Sequence, residues 1–185
     1  TQGGPRHSGG VVNLDRSYGG GALRYFTDIG RVKLSAGVEH ERMAERRRGF
    51  VNDFGVAGEL KRDEDNEVTS TDLFVQAEWR LAERWSLHGG ARHSKVRFTS
   101  RDSFITATNP DDSGARDFSA TTPVAGVLYR ASPRLTLYGN LGRGFETPTF
   151  VELAYRSVGS GLNFDLDASE SRHAELGAKM IVASA

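Results

Sequence analysis

Over most of the chain hydrophobic and polar residues alternate one for one, the period of a β-strand rather than the three-to-four spacing of a helix. The cleanest run covers residues 69–81: Leu73, Val75, Ala77, Trp79 and Leu81 share one face, and Asp72, Phe74, Gln76, Glu78 and Arg80 share the other. Residues 31–43 set Val32, Leu34, Ala36 and Val38 against Arg31, Lys33, Ser35, Gly37 and Glu39. Residues 85–99 set Trp85, Leu87, Gly89 and Ala91 against Ser86, His88, Gly90 and Arg92. Two more runs lie at 135–145 and 172–182, with Leu135, Leu137, Gly139 and Leu141, then Ala174, Leu176, Ala178, Met180 and Val182, on their apolar faces. Residues 22–28 form a short strand, and 118–131 a weaker one, interrupted by Pro123, which cannot donate to a ladder. Residues 1–20 carry Gly-Gly twice and then Gly19-Gly20-Gly21, so they read as a loop or frayed end. The expected class is all-β.

Connections of two lengths separate these strands. Short ones at about residues 28–31, 82–84 and 131–134 alternate with long polar ones at 103–116 and 147–170. An up-and-down membrane barrel has this asymmetry, with short turns on the periplasmic side and long loops outside. Two tight turns on one side must be separated by an even number of strands. Residues 44–68 are therefore expected to form one extracellular loop, with a local hairpin around residues 54–60. Tyr25, Trp79, Trp85, Tyr129 and Tyr138 fall near the tight turns, where an interfacial aromatic girdle would sit.

Composition narrows the field. The 185 residues include no Cys, so disulfides and thiolate metal sites are not available. The formal net charge is +0, which gives no basic footprint for nucleic acid. Mean hydropathy is −0.47, and no apolar run approaches the ~20 residues of a spanning helix. A β-barrel passes that test unseen, because its alternating faces average to a polar sequence. The first ten residues show neither a basic n-region nor an apolar h-region, so no signal peptide is expected in them.

No catalytic constellation stands out. His7, His40, His88, His93 and His173 are scattered without metal-ligand spacing, and His88 and His93 fall on opposite strand faces. The run Asp63-Glu64-Asp65-Asn66-Glu67 fails as an EF-hand loop, since Val68 and Phe74 stand where Gly and Glu are required. Arg46-Arg47-Arg48, with Arg42 before it, is the one basic cluster, an outward-facing charged loop that anionic lipopolysaccharide or an anionic chelate could meet. Gly159-Ser160-Gly161 lacks the strand-to-helix nucleophile elbow. Neither enzymatic activity nor a cofactor is expected.

One ordered set of motifs does point to a family. Gly142-Arg143-Gly144-Phe145-Glu146-Thr147-Pro148-Thr149 ends one strand, Glu152-Leu153 and a loop follow, and the next strand carries Glu175-Leu176-Gly177-Ala178-Lys179. This strongly resembles the barrel domain of TonB-dependent outer-membrane receptors, importers of iron-siderophore chelates. Residues 118–180 carry most of the likeness. The resemblance implies an antiparallel up-and-down transmembrane barrel segment in the bacterial outer membrane, facing lipid. The chelate would be captured at the outer side, and TonB would act through a plug domain not recognisable in this chain. The motif residues Gly142, Arg143, Gly144, Phe145, Pro148, Glu152, Leu153, Glu175, Leu176, Gly177 and Lys179 would be structural. Parity nominates Arg92, Tyr138, Asn140, His173 and Glu175 as lumen-facing ligand contacts, joined by Tyr155, Arg156 and Phe164 from the long loop.

The strand count of about seven, and an ending that lacks the family's terminal aromatic strand, lead to the expectation of a middle-to-late part of a larger barrel. Two other readings stay open at this point. One is a small complete outer-membrane barrel acting as an adhesin, structural protein or pore; the other is a soluble β-sandwich binding module, whose apolar face would need a partner sheet.

Overall fold

The computed structural model describes residues 6–153 and 161–182. They form one seven-stranded sheet in the order β1-β2-β3-β4-β5-β6-β7, each strand antiparallel to its sequence neighbour. The strands are β1 (Arg6–Ile29), β2 (Val32–Asp53), β3 (Val56–Arg80), β4 (Trp85–Asp102), β5 (Gly114–Ser132), β6 (Leu135–Glu146) and β7 (Ser169–Met180), with one helical turn, α1 (Phe150–Leu153), between the last two. This is an up-and-down barrel segment. The three tight turns fall where the pattern predicts them.

Two stretches differ from expectation. Residues 6–20 are strand, not loop: Gly19, Gly20 and Gly21 pair in register with Arg42, Glu41 and His40. A Cβ on Gly20 would stand 2.6 Å from the His40 carbonyl oxygen, so these glycines mark close strand approach rather than chain breaks. The irregularity at this end is a register shift between His7 and Val11, where Gly10 has φ +44°.

Residues 44–68 are strand rather than loop, apart from the hairpin turn, which falls at the edge of the 54–60 hairpin expected there. β2 and β3 run on past the expected strand ends and meet at a two-residue turn, Phe54-Gly55. Both turn residues have positive φ, 52° and 91°, and the Gly55 amide donates to Asn52 Oδ1 at 2.8 Å. Such turns favour Asn-Gly or Asp-Gly. A phenylalanine in the left-handed region gives the sequence no such signal.

The two faces of the sheet are unlike. On one, each strand presents four apolar or small residues upward from its tight-turn end: Val32, Leu34, Ala36 and Val38 on β2, and Leu135, Leu137, Gly139 and Leu141 on β6, for example. Leu176 on this face is 90% exposed, and no second sheet covers it among the described residues. A sandwich would have buried it. Trp85 and Tyr129 stack at the lower edge of this band, ring centroids 4.4 Å apart. Tyr138 does not belong to the girdle; it lies on the opposite, polar face, bonded to Glu175.

β1 to β5 have 18 to 25 residues each, against the ~9–11 that cross a bilayer. Their upper halves therefore rise well beyond the apolar band. The β5–β6 ladder stops at Val124↔Gly142, one residue from Pro123, and above it β5 pairs only with β4. The buried core sits beside that divergence. Phe98 and Phe118 of the polar face meet Phe150, Leu153 and Leu162 of the β6–β7 connection.

Candidate functional site

The polar face of the sheet carries three groups of functional side chains. The middle group centres on Arg92. Its Nε donates to Asp72 Oδ1 at 2.9 Å and its Nη2 donates to Glu39 Oε2 at 2.8 Å. Arg24 also bonds to Glu39, and Ser70 donates to Asp72 Oδ2 at 2.9 Å, while Ser94 donates to the other oxygen. Strand parity brings these residues to one face, where the two facing carboxylates Glu39 of β2 and Asp72 of β3 are bracketed by Arg24 of β1 and Arg92 of β4. Asp72 is buried, and three donors compensate its lost hydration.

A lower group spans β4 to β7. His88 Nε2 lies 3.0 Å from Asn140 Oδ1, although their strands are not neighbours. The bond passes over Gly126 of β5, where any Cβ would overlap both side chains. Tyr138 donates from its hydroxyl to Glu175 Oε1 at 2.8 Å. Its ring lies across Gly177, and the Lys179 ammonium stands 5.7 Å from the ring centroid. His173 Nε2 is 2.8 Å from Ser171 Oγ.

At the top, the connection after β6 folds back over the polar face. Thr149 and Glu152 cap α1 reciprocally: the Thr149 amide donates to Glu152 Oε2 at 2.7 Å, and the Glu152 amide donates to Thr149 Oγ1 at 3.3 Å. The Thr149 amide, and its hydroxyl donating to the same oxygen at 2.9 Å, hold the Glu152 carboxyl below its ordinary range. Thr-Phe-Val-Glu is a capping-box sequence, a signal that pattern reading passed over inside a presumed loop. The turn drives Phe150 and Leu153 inward. Phe98 packs edge-on to both Phe118 and Phe150, at 5.8 and 5.2 Å, and Leu153 is 0% exposed. Arg116 anchors the connection to the wall through Asp167 at 2.8 Å. A cavity of about 420 Å³ remains between α1 and the wall, lined among others by Tyr18, Glu41, Met43, Ser70 and Phe98.

The nominated residues are thus divided. Tyr138, Asn140 and Glu175 fall in the lower group with His88, which the sequence did not nominate; Arg92 lies in the middle group. Phe164 is half-buried against the core, its ring filling the space above Gly114. That makes it a packing residue. Tyr155 and Arg156 lie outside the described residues. Of the motif residues, Gly142 pairs with Val124 and His173, Gly144 lies under Ser171 and His173, and Phe145 packs against the core.

The two charge runs of the upper hairpin also change meaning. Arg46, Arg47 and Arg48 stand in register with Asp65, Glu64 and Asp63. The basic and acidic runs thus face each other across the ladder as strand rather than loop, joined by the Arg46–Asp63 ion pair. Deeper on the polar face, Asn66 is 3% exposed, and neither of its amide atoms has a partner.

The likeness to known proteins agrees with this geometry. Residues 2–184 match the family model described as TonB dependent receptor-like, beta-barrel. Among solved structures, the copper transporter OprC superposes with a TM-score of 0.74 at 22% identity, over 92% of this chain and 28% of that one. The siderophore receptor PiuA from Acinetobacter baumannii gives 0.69 at 16% identity, over 91% and 30%. The unliganded ferric citrate transporter FecA gives 0.66 at 16% identity, over 97% and 27%. The chain spans under a third of the length of each of these receptors. A single sheet with one lipid-type face and one charged face, matched along its whole length by that family model, is a section of barrel wall, and the chain belongs to the TonB-dependent receptor β-barrel family.

Proposed function

We propose that this chain forms part of the wall of an outer-membrane receptor that imports ferric siderophores or similar metal chelates. Import would be driven by TonB through the plug domain of the full-length receptor. The observation that carries the reading is the contrast between faces: an unpartnered apolar band outside, and a laced ionic and hydrogen-bonding surface inside. A packed core is not built from Arg24, Glu39, Arg92 and Asp72. A water-filled or plug-filled lumen is.

Within that reading the polar groups divide by what they have left to offer. Arg92 is committed to two carboxylates and serves as wall. His173, Asn140, Tyr138 and Glu175 line the lower lumen, where they would face the plug or a passing chelate. The cavity beneath α1, with Tyr18 and Glu41 at its polar side, would suit first capture of a chelate.

Deletion of the gene, followed by growth under metal limitation on defined ferric and copper chelates, tests the proposal. Growth on one chelate class should be lost and should return with the intact gene only in a strain that has TonB. If growth on every chelate is independent of the gene, the importer reading fails.

A further inference from the structure

The upper border of the apolar band is a row of cross-strand pairs, and one pair in it is incomplete. Above the four apolar positions, the first polar residue on the same face is His40 on β2, Thr71 on β3, His93 on β4, Thr121 on β5, Arg143 on β6 and Arg172 on β7. His40 and Thr71 are direct partners, and so are His93 and Thr121. Each pair closes on itself, His40 Nδ1 to Thr71 Oγ1 at 2.8 Å and His93 Nδ1 to Thr121 Oγ1 at 2.9 Å. Arg143 and Arg172 are direct partners too.

Two guanidiniums directly opposite each other repel. Other arginines on this face, higher on the sheet, are matched within the chain: Arg42 with Glu67, Arg46 with Asp63 and Arg97 with Asp117. Arg143 and Arg172 have no acidic partner among the described residues, and Glu170, the nearest carboxylate along β7, pairs with neither. Both side chains are exposed. Below them a groove of about 450 Å³ runs down the same face, floored by Pro123, Ala125, Leu141 and Ala174.

We propose that Arg143 and Arg172 bind the phosphate of a phosphorylated lipid headgroup in the outer leaflet, with an acyl chain of the same lipid in the groove below. Guanidiniums donate in a planar fork that matches phosphate oxygens, and a shared dianion turns their repulsion into a clamp. The pair sits at the height where headgroups meet the hydrocarbon, and the groove continues into the hydrocarbon. A soluble anion would have no use for the groove. The inference rests on the outer-membrane location and not on import.

The test is native mass spectrometry of the full-length receptor in detergent, with a bisphosphorylated glucosamine-disaccharide lipid as probe. Its dephosphorylated form and inorganic phosphate serve as separate arms. The intact receptor should retain the phosphorylated lipid about tenfold better than R143Q/R172Q does. R143K/R172K, which keeps both charges without the planar forks, should retain less lipid than the intact receptor and more than R143Q/R172Q, and R42Q should match the intact receptor. The dephosphorylated lipid should distinguish none of them. Equal retention by the intact receptor and R143Q/R172Q overturns the proposal, as does retention of inorganic phosphate alone to the same extent. Should R143Q/R172Q fail to assemble, Arg172→Gln decides by the same comparison.

Discussion

Arg46 of β2 reaches diagonally across the ladder to Asp63 of β3, Nη2 to Oδ2 at 3.2 Å. This contact ties together two runs that look like separate loop features in the sequence, one basic and one acidic. It adds a cross-strand charge pair to the ladder of the upper hairpin. Asp63→Arg places a fourth positive charge opposite Arg46, Arg47 and Arg48. Limited proteolysis of the folded receptor should then cut near Phe54-Gly55 several-fold faster. The exchanged double variant, Arg46→Asp with Asp63→Arg, should return cleavage to the starting rate, because the cross-strand pair is restored.

Gly126 is the floor over which His88 meets Asn140. Gly126→Ala should break that bond and overpack the polar face, at a cost of about 1–3 kcal/mol. Thermal unfolding in detergent, read from gel mobility, should show a lower midpoint. Gly89→Ala, whose nearest contact is the Val124 carbonyl oxygen at 3.6 Å, should leave the midpoint nearly unchanged.

Among the described residues Leu153 is the most enclosed side chain, and it belongs to a connection rather than a strand. Leu153→Ala should weaken docking of that connection by about 2–5 kcal/mol. Loss of docking should appear as faster hydrogen exchange at the Leu153 amide, which bonds to the Thr149 carbonyl at 2.9 Å. The β2–β3 ladder should keep its protection, since it does not depend on α1.

Acid should undo the same segment. The amide and hydroxyl of Thr149 hold the Glu152 carboxyl below its ordinary value. The folded-state value is the depressed one, so the capping contribution is present above the ordinary glutamate range near ~4.3. It is lost as pH falls through the folded value. Exchange at α1 should accelerate over that fall. In Glu152→Gln the acceleration should be absent, because no carboxylate remains to be protonated.

The alternation of Leu73, Val75, Ala77, Trp79 and Leu81 made β3 and its neighbours legible, because one face meets a uniform apolar surface and strand parity leaves no alternative. The tight turn at Gly30 was legible because glycine takes φ +60° there. A hairpin around residues 54–60 was legible, but not its two-residue turn at Phe54-Gly55, because nothing about phenylalanine announces a left-handed conformation. The upper strands were hidden for a related reason. Above the band both faces meet water or polar neighbours, so Arg46 and Asp63 carry no hydrophobic period, and only their pairing identifies the ladder. On the polar face parity could nominate Asn140 and Glu175. His88 escaped, because its contact with Asn140 needs the missing side chain of Gly126, a relation between three strands. Phe164, nominated from the long loop, packs half-buried against the cluster that contains Phe98 and Phe118, residues distant from it in sequence.

The claim beneath all of this is that Leu73, Val75 and Ala77 face lipid while Asp72, Gln76 and Glu78 face the lumen. The chain has no Cys, so single cysteines along β3 of the full-length receptor, assembled in its membrane, can report each position separately. A spin label at 73, 75 and 77 should be relaxed by oxygen, which concentrates in hydrocarbon, and shielded from a water-soluble paramagnetic complex. Labels at 76 and 78 should be shielded from oxygen, giving an alternation with a period of two. Equal access of the water-soluble reagent to both sets would contradict the barrel-wall account and leave the apolar band without a membrane to face.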